Sequence, residues 1–488
     1  MNAQPQGSGE VRSEVGVQHA PAGVADVLAI GFGTTVAMWA VGYVGHMPLT
    51  HIPQFAFVAV MLLCVIAGGW VAGRYTRRGV GGGVWVGLLS ATLNLLILGS
   101  LLAKPHSGQL VPGVWLWLPG WFALSVVLAA IGAGAGQAGG AAARDRDVNW
   151  VAGLGWITVL AALLLITAGG LVTGFRAGMA VPDWPNTFGS NMFLYPLAQM
   201  TGGVFYEHAH RLLGTLVGAA ALALAIYVTW GGLPACPALR PQTAGRPDGP
   251  DASRGLTGWN RKPLIVLLWS VGGGVAVQGV FGGLRVTDDS HILAVIHGFF
   301  AHMILGGLVA AAVMLSRRWQ GRCGAESRPA ASTDRFFTVL VVAVVLLQTL
   351  LGTLVRQLDL SLLVHITVAA IVALIALAAG LRAWGLNPQA AVLRRSGVAL
   401  MVLVLVQINL GIVALVFRTP PVSQSPTAEM LAAQAGRLPV TPLPALITTV
   451  HQATAAVILA VAVILAAWTW RLLATAATDV TKSGRAGP

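Results

Sequence analysis

The chain has 488 residues, 56% hydrophobic and only 9% charged. Its mean hydropathy of +0.77 excludes a soluble globule and indicates a polytopic membrane protein. The formal net charge of +13 does not signal a nucleic-acid partner, because the basic residues sit in short loops between apolar runs, as the positive-inside rule expects.

Residues 1–24 are polar, and the apolar run behind them is too long for a signal-peptide core, so no cleaved signal is expected. Twelve spans then follow, at 25–45, 55–73, 80–103, 112–137, 150–174, 204–230, 263–284, 292–316, 336–355, 361–381, 397–417 and 446–472. Each has roughly the 20 residues needed to cross a bilayer. The loops alternate in basicity, with 22 Lys and Arg on one side and six on the other, so both termini are expected in the cytoplasm and the protein in the cell (inner) membrane. The 61 glycines suit close helix packing, and the 16 tryptophans, many near span ends, suit interfacial belts. Cys64, Cys236 and Cys323 are too scattered for a disulfide framework or a thiolate metal site.

The best domain boundary is the composition shift over Gly139–Asn149. It separates an extra four-helix membrane segment, 25–149, from the rest. Residues 150–316 and 336–472 read as two copies of one four-helix unit, joined by a cytoplasmic linker at 317–335 and followed by a tail at 473–488. The expected fold is therefore an all-α membrane protein of about 12 helices, two pseudosymmetric four-helix bundles preceded by an additional four-helix segment. Two longer loops interrupt it, 231–262 on the cytoplasmic side and 418–445 outside, the latter with a short helix expected near 428–435.

The duplication is carried by histidines. His210 and His297 are 87 residues apart, and His365 and His451 are 86 apart. All four lie on even-numbered spans, each about five residues from the outer end. The odd spans finish at the outer face with Arg176, Arg285, Arg356 and Arg418. A weaker echo joins Gln278, Gln348 and Gln407. One carboxylate falls inside an apolar span, Glu207, in Glu207-His208-Ala209-His210-Arg211. On a helix, Glu207 and His210 share a face, and a buried carboxylate beside an imidazole marks a functional site. The position matching Glu207 in the second copy is Leu362. The extra segment, by contrast, shows no intramembrane acid and no embedded histidine, and reads as a packing or docking module.

Two histidines from two helices of a bundle can supply both axial nitrogens to one heme iron, and arginines at the outer ends can meet its propionates. Zinc fits less well, with no thiolates and one carboxylate, and a proton path would show several acids. Blander roles remain for each group. The histidines can hydrogen-bond between helices, Glu207 can orient an imidazole, and the arginines can anchor helix ends. His208 and His302 fall off the repeat and suit polar packing or substrate-edge contacts. His46, His51, His106 and His291 fall in or near outer loops.

These residues resemble the heme A synthase family over roughly 150–472. Gly169-Gly170-Leu171-Val172-Thr173-Gly174 with Pro182-Asp183-Trp184-Pro185 is similar to its first helix and outer loop. Glu207 to Arg211 resembles its Glu-x-x-His-Arg motif. Gly282-Gly283-Leu284-Arg285-Val286-Thr287, His297-Gly298, His365 and Val450-His451-Gln452-Ala453-Thr454 match further motifs. The resemblance implies oxidation of the C8 methyl of heme O to the formyl group of heme A. It implies His210 and His297 on the substrate heme, His365 and His451 on a heme b cofactor, and Glu207 as the catalytic residue. Arg176, Arg211, Arg285, Arg356 and Arg418 would contact propionates or substrate, and Pro182, Asp183 and Trp184 would form the outer-loop motif. Heme O synthase and a heme-A-containing terminal oxidase are the implied partners, with an unidentified electron acceptor and an oligomer allowed. Many bacterial members carry a cysteine pair flanking that loop; here the places hold Val181 and Thr187, as in the cysteine-free subgroup. The competing class is a non-catalytic di-heme b-type cytochrome, and a third is a heme transporter.

Overall fold

The computed structural model describes residues 24–47, 50, 52–102, 111–140, 147–231, 261–321, 326–328, 330–417 and 441–475. Twelve helices are long and apolar enough to cross a membrane, which makes this a multi-pass membrane protein. They are α1 (Ala25–His46), α2 (Gln54–Tyr75), α3 (Val80–Leu98), α4 (Val114–Ala138), α5 (Trp150–Gly174) and α6 (Gly202–Ile226), then α7 (Lys262–Thr287), α8 (His291–Met314), α9 (Ala331–Leu358), α10 (Leu362–Leu386), α11 (Ala391–Val416) and α12 (Pro442–Leu472). Each coincides with an expected span. The ends differ where a polar turn is still helical. α9 starts five residues early because Asp334, in its first turn, is buried and bonded to Arg382 at 2.8 Å. The helix expected near 428–435, the loop core 232–260 and Arg418 lie outside the described residues.

The helices form three groups. α1 packs on α2 and α3, and α4 closes against both. α5 to α8 form a ring of successive neighbours closed by α5 against α8. α9 to α12 repeat it, closed by α9 against α12. The seam between the rings pairs α5 with α12 and α8 with α9. Exchanging α5 for α9 and α8 for α12 turns one contact into the other, as a pseudo-twofold axis requires. α8 and α12 meet on that axis.

Glycine sets the tightest contacts of the first group. A Cβ on Gly69 or Gly132 would lie 2.0 Å from a backbone oxygen of the facing helix, so α2 and α4 touch main chain to main chain. Asp26 stands in the first turn of α1. It is buried and pairs with Arg78 at 3.0 Å. Deeper in, Trp39 Nε1 donates to Asn94 Oδ1 at 2.9 Å, and Thr35 meets Ser90 at 3.2 Å. The group docks through α1 onto α5, and the Tyr43 ring lies 5.2 Å from Phe205 of α6.

Short strands complete the fold. Asn186–Thr187 pairs antiparallel with Ser190–Asn191 in the α5–α6 loop, and Glu326–Arg328 pairs parallel with Leu473–Thr475. Hydropathy gave no sign of either, being blind to two- and three-residue strands.

Replacing Gly132 by Val should cost the first group at least about 1–3 kcal/mol, since backbone rather than a flexible side chain must move. Faster proteolysis within 52–140, with the two rings intact, is the expected outcome; an unchanged digestion pattern would refute the main-chain contact.

Candidate functional site

The structure pairs the four repeat histidines within their own rings. His210 of α6 faces His297 of α8 with ring centroids 6.3 Å apart and planes at 73°. His365 of α10 faces His451 of α12 at 6.5 Å and 75°. The four stand 8, 6, 3 and 9 residues after the first residue of their helices, so the uniform depth of five residues does not hold. The pairing holds because the rings, not the helix ends, are in register.

That register comes from glycines on the odd helices. A Cβ would meet the imidazole Cε1 of His210 at 2.8 Å on Gly169, of His297 at 2.9 Å on Gly282, of His365 at 3.4 Å on Gly352 and of His451 at 3.1 Å on Gly411. Each ring edge thus rests on bare backbone. Four residues before each glycine stand Leu165, Gln278, Gln348 and Gln407, a Gln-x-x-x-Gly pattern in three of four helices. The Gln278 carbonyl lies 3.1 Å from Nδ1 of His297, whereas Nδ1 of His210 and of His451 is buried without a hydrogen-bond partner. Gln278 and Gln348 also donate their amides to the carbonyls of His297 and His365 at 2.8 and 2.9 Å. For His297 a proton held at Nδ1 leaves Nε2 free to bind a metal, while the amides of Gln348 and Gln407 meet Nδ1 of His365 at 3.0 Å and Nε2 of His451 at 3.3 Å. The Gln echo was legible in the sequence; the glycines below it completed the signal and were missed.

Two imidazoles on opposite sides of one metal ion, each bonded at about 2 Å, have centroids about 6 Å apart. Both pairs meet that distance. Among the described residues no group of three or more His, Cys, Asp or Glu converges. The side-chain oxygens of Gln278, Gln348 and Gln407 are buried without partners beside these rings, as in a site shaped for a further group.

A cavity of about 1050 Å³ surrounds His365 and His451 and opens toward the outer ends of the helices. Arg176, Arg285 and Arg356 all line it, so cations from both rings gather on one cavity. Their registers differ. Arg285 and Arg356 stand three and four residues beyond their glycines, Arg176 and Arg418 seven. Arg356 crosses the seam. It donates to the Gly170 carbonyl of α5 at 2.6 Å and to Gln452 of α12. His210, His297 and Glu207 do not line this cavity.

Glu207 lies one turn before His210, 5% exposed, with Arg211 Nε donating to its Oε1 at 3.1 Å. Arg211 reaches the outer loop with its other nitrogens, donating to Asp183 O at 2.7 Å, Val181 O at 2.9 Å and Asn186 O at 3.1 Å. It therefore clamps the loop instead of standing open for a propionate. The motif residues serve the same loop. Asp183 accepts from the backbone of Phe188 and Gly189 at 2.8 and 2.7 Å, and Trp184 lies on Gly283 of α7. Pro182 sits between the clamped carbonyls. His208, off the repeat, meets Thr187 Oγ1 at 3.1 Å and holds the loop from beneath.

Residues 152–367 match the family model described as cytochrome oxidase assembly protein. The matched stretch covers the first ring from the third residue of α5 onward and carries Glu207, His210, His297 and His365; His451 lies beyond it. No curated protein and no solved structure matches the chain.

Arg211→Lys keeps one charge but cannot reach three carbonyls and Glu207 together. The loop at 176–201 should become open to protease and the protein less stable by about 1–3 kcal/mol, the cost of part-buried carbonyls left without donors. Wild-type protease resistance in this variant would show that the clamp is dispensable.

Proposed function

We propose that this chain is a heme A synthase, oxidising the C8 methyl of heme O to a formyl group and yielding heme A for terminal oxidases. The observation that carries the reading is an asymmetry. The two histidine pairs have nearly equal geometry, but only one has a buried carboxylate a turn away, Glu207, against Leu362 in the other. The family match, a cytochrome oxidase assembly protein, agrees with a role in making the oxidase's heme.

In this reading His210 and His297 hold the substrate heme and His365 and His451 a resident heme b. Arg176, Arg285 and Arg356 meet its propionates at the cavity mouth, with Arg418 a candidate for the same role. The resident heme, when bound, supplies one-electron redox chemistry. The chain's own contribution is positional and acid–base. Glycines 169 and 282 fix the imidazole planes of the first pair. Glu207 is the proton acceptor for the methyl carbon or the attacking water. Arg211 orients that carboxylate and, through the loop it clamps, limits water to the amount the reaction uses. Heme O arrives from a prenylating synthase and heme A leaves to the oxidase. The membrane is the cell membrane, with both termini in the cytoplasm.

Near-equal pairs would also suit an electron-transferring di-heme cytochrome, in which Glu207 has no task. Extracting the heme after co-expression with a heme O source separates the two. Heme A should appear with heme b, and Glu207→Gln should lower heme A formation at least about 100-fold while the second-bundle heme stays bound. Two hemes b per chain and no heme A, whatever stands at 207, would sink the synthase reading.

The glycine contacts give a second test. Gly282→Val should disturb the low-spin signal of the first pair alone, and Gly411→Val that of the second alone. Paramagnetic resonance of the two variants checks this, and loss of both signals in either would mean that the sites are not separately built.

A further inference from the structure

α8 serves both rings. His297 turns into the first, while His291, Ala294, Gly298 and His302 follow helical spacing on another face. That face looks across the seam. His291, Ala294 and His302 line the second-ring cavity, and a Cβ on Gly298 would lie 3.1 Å from the Thr353 methyl of α9. His302 is 1% exposed. Its Nδ1 lies 2.8 Å from the Gly298 carbonyl one turn back, so Nδ1 carries the proton. Nε2 is then a bare acceptor on the ring edge turned away from its own helix, and it is buried with no partner. A buried acceptor in that state costs free energy that a ligand's donor would recover.

The pseudo-twofold shows that this histidine is no leftover of duplication. His302 stands five residues after His297. Five after His451 stands Ala456, fully buried among the apolar side chains of the first ring. Only the second cavity receives the additional imidazole. Val345, Val372, Val404 and Ile458 of the lining are apolar, and the buried Thr349 hydroxyl already donates to the carbonyls of Val345 and Leu346. A b-type heme carries no hydroxyl or amide on its apolar edge, and its carboxyls suit the arginines at the mouth. The acceptor calls for a hydroxyl on a hydrophobic molecule that enters from lipid.

We propose that the second-ring cavity also binds a quinone-class carrier at the seam, the hydroxyl of its reduced form donating to Nε2 of His302. The proposal rests on the second ring holding a redox heme, as in the function above. A quinone becomes quinol by taking two protons from water at the cavity mouth and two electrons, which a heme held by His365 and His451 would supply one at a time. The substrate methyl is the source of the electrons.

The test uses the purified full-length chain with its hemes oxidised, mixed without oxygen with decylubiquinol, the form that carries the donor. Reduction followed in the visible band of the reduced heme should saturate with quinol. His302→Leu should raise the half-saturating concentration about tenfold, which corresponds to the loss of one hydrogen bond of about 1.4 kcal/mol. Heme content and reduced spectrum should not change, and His302→Gln, which keeps an acceptor, should stay within about threefold of wild type. Unchanged half-saturation in His302→Leu overturns the proposal. Heme O found in the second ring, and lost with His302, also overturns it by assigning Nε2 to the heme's own hydroxyl. Should His302→Leu not retain heme, the wild type decides: saturation supports the site, and a rate linear in quinol refutes it. Heme A formation, measured separately, keeps the readings apart, since saturable reduction without heme A would leave this site standing and remove the synthase assignment.

Discussion

The contact of an imidazole edge with a bare helix backbone is the constraint on which the rest of this structure depends. Each of the four paired histidines leans on a glycine of the neighbouring odd helix, where a Cβ would come within 2.8–3.4 Å of Cε1. A side chain at any of these places would push the ring toward its partner and close the gap. With glycine in all four, two pairs of rings stand about one metal ion apart on helices that otherwise carry little polarity. Polar groups in a lipid-facing bundle are tolerated when each has a partner. Here several await one, and the buried Gln oxygens are the clearest sign that these interiors are sites and not only cores.

Duplication supplied the frame, and function is written in the departures from it. Glu207 answers to Leu362 and His302 to Ala456. The first departure places a carboxylate beside one histidine pair, and the second places an unpaired acceptor beside the other. Arg356 adds a third, reaching across the seam to Gly170, the residue after the glycine under His210, and to Gln452, the residue after His451. The surroundings of the two sites are thereby tied together through the two hydrogen bonds of one guanidinium. A symmetric electron wire would need no such divergence.

Much of this was legible in the sequence because it depends on periodicity. Hydropathy gave twelve spans, and repeat spacing gave the histidine pairs and the acid. What was not legible depends on packing. Arg211 reads as a cation beside a site, yet its donors go to three loop carbonyls and to Glu207, a destination set by how the α5–α6 loop folds back. Arg176 and Arg285 end helices of the first ring but line the cavity of the second, because the seam lies between those helix ends. His302 looked like packing because its partner face belongs to a distant segment. The small strands and the Asp26–Arg78 pair depend on contacts with no period at all.

The loop between α5 and α6 explains why a buried acid can persist one turn from His210. An isolated carboxylate at that depth would be too costly. Arg211 resolves this by pairing with Glu207, but a lone guanidinium would itself be stranded there. The carbonyls of Val181, Asp183 and Asn186 complete its hydrogen bonds. They are held in turn by Asp183 on the backbone of Phe188 and Gly189, by Trp184 against Gly283, and by His208 under Thr187. The loop motif is therefore the support of the acid, and Pro182, Asp183 and Trp184 act on the chemistry only through the guanidinium they position.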